Sequence, residues 1–498
     1  MKTKHTASKS IIRQPRGLRW SDTVKAKTLL SCVLFVMAPL VHAQVNCPAP
    51  SATTTAPMIC QYPYNSTVLA AITYGGNLPP GYQSGSIYMQ LNAAGSGIAS
   101  SISASIATQL AQLPMPSAAA GTVTLTLPGS DLGSPFNNLG PLLTDRPDTF
   151  RKNDFFLSFA YQHFNFTQID GLGLSNFILG QEVPGVTLEP GANVPPITGN
   201  FYGSLQSKID FQMDQYIGLL TYGLTRSTDI TVAVPVNSVT MNVTSGQYQG
   251  YMFTPSSGSA PAYYTLLAKP GVTTQVSNVT AGSASGVGDV TLNVKQMLFG
   301  QEGSVGRYAG AIGAQLRFPT GDAENYLGSG AFGANFYGIV EYRRSIHHGP
   351  IKGVAPHVKI GYQWNAQSQV MDISKKPYLN LPGGLDYAFG SDFGLHRTFS
   401  IAVDGVGHQY VNAPSVSNSN ISLPSASNQA TQQVPSSFVL SSTANNTYTT
   451  FNFSGGFKWM LPKTREHLLL YANVLVPVNN VGLHSDPVPM VGLAYKLK

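Results

Sequence analysis

The chain has 498 residues, of which 43% are hydrophobic and only 10% are charged, and its formal net charge is +7. A typical globular protein is about 25% charged, so this composition excludes a disordered polyelectrolyte and a charge-rich coiled coil. The positive net charge alone suggests a nucleic-acid-binding protein, and the position of the charges decides whether that suggestion holds.

The first 43 residues hold the excess positive charge. They contain eight Lys and Arg residues and one acid, Asp22, and they lead through the apolar stretch Thr28–Val41 to Val41-His42-Ala43. This pattern predicts a secretory signal peptide over residues 1–43. Eight of the 29 bases and one of the 22 acids lie in it, so the mature chain is neutral, with 21 of each. A nucleic-acid partner is therefore not expected.

Two cysteines, Cys47 and Cys60, follow the signal peptide. An exported pair of this kind predicts a disulfide, which would close a loop of about 14 residues and contribute about 3 kcal/mol of stability. The pair indicates an oxidising compartment and says nothing about chemistry.

Residues 44–138 form a low-complexity region rich in Ser, Thr, Ala and Pro. Within it Ile98, Ile102 and Ile106 recur every four residues, which predicts a short helix near residues 97–113 with one apolar face. Two interpretations stay open at this point. The helix packs against the domain that follows, or it forms a plug or latch for a pore.

From Asp154 onward the chain consists of segments of about ten residues in which apolar and polar residues alternate, separated by turn-rich stretches. A strand of an outer-membrane barrel has this pattern, because every second residue faces lipid and the sheet closes to pair all its backbone polar groups. We therefore predict an all-β fold, a transmembrane antiparallel up-and-down β-barrel of about twelve strands over residues 139–498. The predicted strands are Asp154–Phe166, Asp210–Leu224, Ile230–Val243, Val290–Val294, Tyr308–Phe318, Phe336–Tyr342, Val358–Trp364, Leu385–Phe393, Phe399–Tyr410, Phe451–Trp459, Leu468–Leu475 and Met490–Leu497.

One predicted strand changes its pattern partway along. Apolar residues occupy the even positions from Ile230 to Val236 and the odd positions from Val239 to Val243. We expect a shift of backbone phase at Pro235.

The connections between the predicted strands alternate between short and long. The longest are Thr167–Lys208, Ser245–Gly288 and Val411–Tyr448. Outer-membrane barrels have short periplasmic turns and long external loops, so the alternation predicts a bacterial outer-membrane protein with both termini in the periplasm. The predicted short turns are Thr225–Asp229, Gly300–Arg307, Ser345–Val354, Leu395–Arg397 and Met460–Glu466.

Several motifs are similar to those of a bacterial outer-membrane family of transporters related to the meta-pathway of phenol degradation. They are LGPLLTDRPDT (Leu139–Thr149), SGVGDVTLNVK (Ser285–Lys295), RFPTGDAENYLGSGAFG (Arg317–Gly333), GYQWN (Gly361–Asn365) and the closing VPMVGLAYKLK. The resemblance implies a barrel with a transport role and implies little about the substrate. One departure is the C-terminus: such barrels commonly end on Phe or Trp, which the barrel assembly machinery reads, whereas here Lys498 follows Leu497.

We expect Tyr222, Arg317, Asp322, Lys359 and Asp404 to line the lumen or a constriction. No motif indicates a catalytic residue, a metal site or a cofactor, and no His is followed two positions later by Ser, as in the phospholipases that share twelve-stranded barrels. The chain is therefore predicted not to be an enzyme.

The predicted function is an outer-membrane channel or transporter for small hydrophobic or aromatic compounds. Its expected partners are outer-membrane lipid, a small-molecule solute and the barrel assembly machinery. The alternative is a structural or surface-interaction barrel without transport, because the bore of a twelve-stranded barrel is narrow and wall side chains could fill it.

Overall fold

The computed structural model describes residues 59–61, 86–116, 139, 141–150, 152–188, 197–268, 279–300, 308–346, 349–368, 380–396, 398–461 and 468–497. Twelve antiparallel strands in these ranges form a closed barrel. They are β1 (Phe155–Ile169), β2 (Ile197–Gly223), β3 (Thr228–Thr254), β4 (Val290–Phe299), β5 (Tyr308–Phe318), β6 (Gly333–Tyr342), β7 (Gly353–Asn365), β8 (Gly384–His396), β9 (Phe399–Ser422), β10 (Ser437–Met460), β11 (Leu468–Pro477) and β12 (Val488–Leu497). Each strand pairs with the next, and β12 closes the ring on β1 with Leu493 opposite Phe159. This confirms the predicted fold.

The strand ends that flank the predicted short turns lie at one end of the barrel, which we call the short-turn end. Of these turns, Thr225–Asp229 lies wholly within the described residues. The long connections differ from the prediction, because much of their length is strand. β2, β3, β9 and β10 continue well beyond the predicted strands as two long hairpins, and Phe177–Leu188 and Val279–Val287 pair with them. Ser, Thr and Asn pair across these hairpins, as Ser417 does with Ser442 at 2.9 Å. We call this the extended end.

One helix, α1 (Ser86–Leu110), precedes the barrel. It begins eleven residues earlier than predicted and ends three residues earlier than predicted. At its end the backbone N–H groups of Ala111 and Gln112 donate to the carbonyl oxygens of Ala107 and Gln109. No helix in the described part of the chain has the length and apolar content needed to cross a bilayer. The predicted signal peptide, Cys47 and the Cys60 side chain lie outside the described residues and side chains, so the disulfide stays a prediction.

The outer face of the barrel is apolar near the short-turn end. Phe159 on β1 and Tyr216 on β2 point outward with about half of their side-chain surface exposed. Tyr161 and Tyr216 pair at a ring-centroid distance of 5.1 Å at the upper limit of this band, and Phe155 and Tyr222 pair at 4.6 Å at its lower limit. Aromatic girdles around an apolar band are typical of membrane barrels.

Beyond the Tyr161–Tyr216 pair the apolar face changes sides. On β3 the even positions still point outward, but the apolar residues are now the inward Val239, Met241 and Val243, all buried. The expected phase shift at Pro235 is wrong. Odd positions of β3 point inward on both sides of Pro235, and what changes along the strand is the surroundings of each face. Above the band the outer face meets water, while the inner face packs on α1.

This inversion predicts opposite sensitivities on one strand. Val232 and Thr240 both point outward on β3, the first within the apolar band and the second above it. We expect Val232→Arg to lower the free energy of unfolding by about 2–4 kcal/mol, and Thr240→Arg to lower it by at most about 1 kcal/mol. Urea unfolding in lipid vesicles measures both. Equal losses would contradict the assigned membrane boundary.

Candidate functional site

The candidate site is the interior of the barrel, which two segments that precede β1 in the chain occupy. The first is α1, whose residues from Ile98 to Gln109 are almost all buried, on polar as well as apolar faces. Ile98, Ile102 and Ile106 belong to one buried apolar cluster with inward-facing side chains of β1, β2 and β3, among them Phe164 and Met213. The described side chains of α1 are buried on every face, so this part of the helix lies inside the ring of strands, in the position expected of a plug.

The polar residues of α1 are bonded to the barrel. The Tyr326 hydroxyl donates to Ser103 Oγ at 2.9 Å, and the Gln109 side chain donates to the Tyr448 hydroxyl and accepts from the Leu483 backbone N–H. Burial raises the pKa of Tyr326, which keeps this loop residue protonated and able to donate. Each bond fixes the helix to a different element.

Tyr326 belongs to the loop 319–332, which folds inward and packs Ala323 on Ala107 of α1. Asp289, at the start of β4, holds this loop: its carboxylate accepts from the Gly321 N–H at 3.1 Å and from the Ser329 N–H at 2.7 Å. Gly321 and Gly328 approach so closely that a Cβ on Gly321 would lie 2.7 Å from the Gly328 Cα. The glycine-rich motif around Asp289 and the one in the loop 319–332 therefore contact each other and together hold the loop inside the barrel.

The C-terminal end of α1 points along the bore toward Arg317. The Arg317 guanidinium donates to Ala111 O at 2.5 Å and to Asn365 Oδ1 at 2.8 Å, and it lies 3.6 Å from the Asp289 carboxylate. A cation at this position satisfies free helix carbonyls and suits the negative end of the helix dipole. The following turn is fixed by Gln162, which donates to Pro114 O at 3.2 Å.

The second occupant is the luminal segment, defined as Leu139 and residues 141–150, which runs through the short-turn half of the bore. Leu139 N–H donates to Ser400 Oγ at 2.9 Å, and the Phe150 N–H donates to Asp229 at 2.8 Å. Asp404 accepts from Thr144 Oγ1 at 3.1 Å and lies 2.9 Å from His357 Nε2. The segment is therefore tied to the wall along its whole length.

Buried charges hold its centre. Arg146, 2% exposed, donates to both carboxylate oxygens of Glu341 at 3.0 and 3.4 Å, and Glu341 is fully buried. Lys295 on β4 donates to Arg146 O at 2.8 Å and lies 3.3 Å from Asp145. A bidentate Arg–carboxylate pair is among the strongest polar contacts a protein makes, so the TDR sequence of the motif is a clamp.

Between the two occupants lies a cavity of about 160 Å³. Its lining is mostly polar, with apolar contributions from Leu143, Leu219 and Val406. Lys359 reaches into it, 4.4 Å from the centre of the Tyr337 ring and 3.9 Å from Asp386. Asn335 Oδ1 has no hydrogen-bond partner among the described residues.

The five residues expected at the lumen have different positions. Arg317 and Lys359 point into the cavity, and Asp404 points into the short-turn half of the bore. Asp322 instead caps a turn of the loop 319–332 by accepting from the Glu324 N–H at 3.0 Å. Tyr222 lies on the outer face against Phe155, because even positions of β2 face outward, so it is not carried into the proposed site.

Sequence reasoning missed the residues that clamp the luminal segment. Arg146, Glu341 and Lys295 are charged residues of a chain with few charges, and they come from separate motifs or strands. A charged residue at an inward-facing position of a membrane strand would have indicated them. The sequence does not show which positions of each strand face inward, so this indication could not be used.

Comparison with known families finds one whose model matches residues 225–479, described as "Putative MetA-pathway of phenol degradation". This is more than half of the chain. The chain belongs to this family. The match confirms the resemblance seen in the motifs, and it includes those around Asp289 and in the loop 319–332 but not the luminal segment. No curated protein sequence matches the chain.

Solved barrels are similar to this chain at low identity. An outer-membrane channel of Pseudomonas putida F1 is 13% identical, with a TM-score of 0.37, over 71% of this chain and 100% of that one. A FadL homologue of Pseudomonas aeruginosa is 8% identical, with a TM-score of 0.24, over 69% and 89%. A monoaromatic hydrocarbon channel is 8% identical, with a TM-score of 0.23, over 70% and 89%. At these scores no function is transferred.

Proposed function

We propose that the protein is an outer-membrane channel for small hydrophobic or aromatic compounds, closed by its own N-terminal region. The observation that carries this proposal is what fills the bore. α1 and the luminal segment occupy it, rather than side chains of the wall alone. A bore wide enough for a helix becomes a passage when the helix moves, which favours a channel over the structural barrel.

The cavity supports the proposed class of solute. A cavity of about 150 Å³ holds one benzene molecule in another protein, and the space between α1 and the luminal segment is about 160 Å³. Leu143, Leu219 and Val406 offer apolar contact to a ring, and Lys359 offers a hydrogen-bond donor to a polar substituent. We infer that single-ring compounds fit best, and that Arg317, Lys359 and Asp404 line the path.

The remaining features fit export and insertion. We propose that residues 1–43 are removed on export, that Cys47 and Cys60 form a disulfide, and that the barrel assembly machinery inserts the chain into outer-membrane lipid. The short-turn end then faces the periplasm and the long hairpins face the outside.

Solute uptake tests the proposal. The full mature chain is reconstituted into vesicles whose outer leaflet is lipopolysaccharide, a barrier to apolar solutes, and the entry of labelled toluene and glucose is followed. We expect faster toluene entry than in protein-free vesicles, with glucose unchanged. No acceleration of either solute would favour the structural barrel, and equal acceleration of both would indicate a general pore.

A further inference from the structure

The outer wall carries a groove that the channel function does not explain. It has a volume of about 660 Å³ and lies on the face of β5 to β10 that points away from the bore. Its lining is almost entirely apolar, and Tyr308 and Tyr342, whose ring centroids are 4.9 Å apart, stand at its short-turn end.

Strand register explains why the wall is concave here. One row across the sheet holds Val358, Phe389 and Gly405 as direct neighbours. The Phe389 ring leans over Gly405, where an added Cβ would lie 2.9 Å from it. The next row toward the short-turn end holds Ser391 and Val403. Their side chains are smaller than the Phe389 and Phe393 rings on either side, so the surface is recessed there.

The ends of the groove differ in polarity. At the short-turn end of the groove one row across the sheet holds Arg344, Val354 and Phe393 as successive neighbours. Arg344 is exposed. Lys352, also exposed, lies two residues before Val354. Ser391 lies in the floor with its Oγ buried, so the floor is apolar along its length. Two cations and then an apolar trough follow one another from the short-turn end.

We propose that this groove binds one phospholipid of the periplasmic leaflet. The phosphate lies at Arg344 and Lys352, and an acyl chain fills the trough over Ser391, Val403 and Gly405. Basic residues at a membrane surface attract lipid phosphates, and the order of charge followed by apolar length matches that of a phospholipid. The proposal rests on the membrane location in the proposed function, but not on transport.

Native mass spectrometry of the full mature chain in mild detergent tests the site, with palmitoyl-oleoyl-phosphatidylglycerol as the probe. We expect one retained lipid. The double variant Arg344→Gln/Lys352→Gln should bind about 25-fold more weakly, since each cation near a membrane surface contributes roughly fivefold. Val403→Trp, which fills the floor, should also lose the retained lipid.

Two matched variants serve as controls. Arg226→Gln removes an exposed cation from another short turn, and Val491→Trp adds a ring to the outer face away from the groove. Both should retain the lipid, with folding checked by the heat-dependent gel mobility of barrels. Equal retention by all variants, or equal loss in the controls, would overturn the proposal. Retention without solute uptake would contradict only the proposed channel function.

Discussion

Replacing Arg146 by Ala should open the barrel. The change leaves Glu341 buried, with Arg343 as its one remaining described cation, at 3.0 Å. Removing one partner of a buried ion pair costs about 3–5 kcal/mol. The penalty applies only while the luminal segment occupies the bore, because Glu341 meets water once the segment leaves. It therefore shifts the closed–open equilibrium by roughly 100-fold or more.

Single-channel recording in planar bilayers measures that shift as the open fraction. Lys152→Ala is the matched control, because Lys152 follows the same segment in the chain and is exposed. The control should behave as the wild type, and Arg146→Ala should be open far more often. Equal open fractions in the two variants would mean that the Arg146–Glu341 pair does not hold the segment.

The barrel itself could be predicted because its signal is local. Alternation with period two and short turns between segments are visible in any ten residues. They predict β5, β6, β8 and the closing strands to within about three residues of their observed bounds, and they place β4 and β7 with one end five residues short. The long hairpins were predicted as loops, since Ser, Thr and Asn on both faces hide the alternation. The pairing register of the structure shows that β9 and β10 stay paired as far as Ser422, which lies opposite Ser437.

The interior could not be predicted in the same way. Whether an apolar residue on an alternating strand faces lipid or the bore depends on what fills the bore, and nothing near Val239 or Met241 in sequence reports that α1 packs there. The same uncertainty placed Tyr222 in the lumen. The TDR sequence is visible as part of a family motif, but the contacts of Arg146 with Glu341 and Lys295 join residues that are 195 and 149 positions apart.

A disulfide between α1 and the inward loop should close the channel. Ala107 and Ala323 pack on each other, and an alanine makes such a contact only through its Cβ, so the two Cβ atoms lie near the separation that a disulfide needs. In Ala107→Cys/Ala323→Cys the oxidised bond ties α1 to a loop that Asp289 holds to the wall. The wild type, with Cys47 and Cys60, controls for the effect of oxidation itself.

Toluene uptake by vesicles containing this double variant, oxidised and then reduced, is the most direct test that α1 must move for solutes to pass. We expect the oxidised protein to match protein-free vesicles and the reduced protein to recover wild-type uptake. Undiminished uptake by the fully oxidised variant would show that solutes pass without displacement of α1, and would contradict the proposed closed channel.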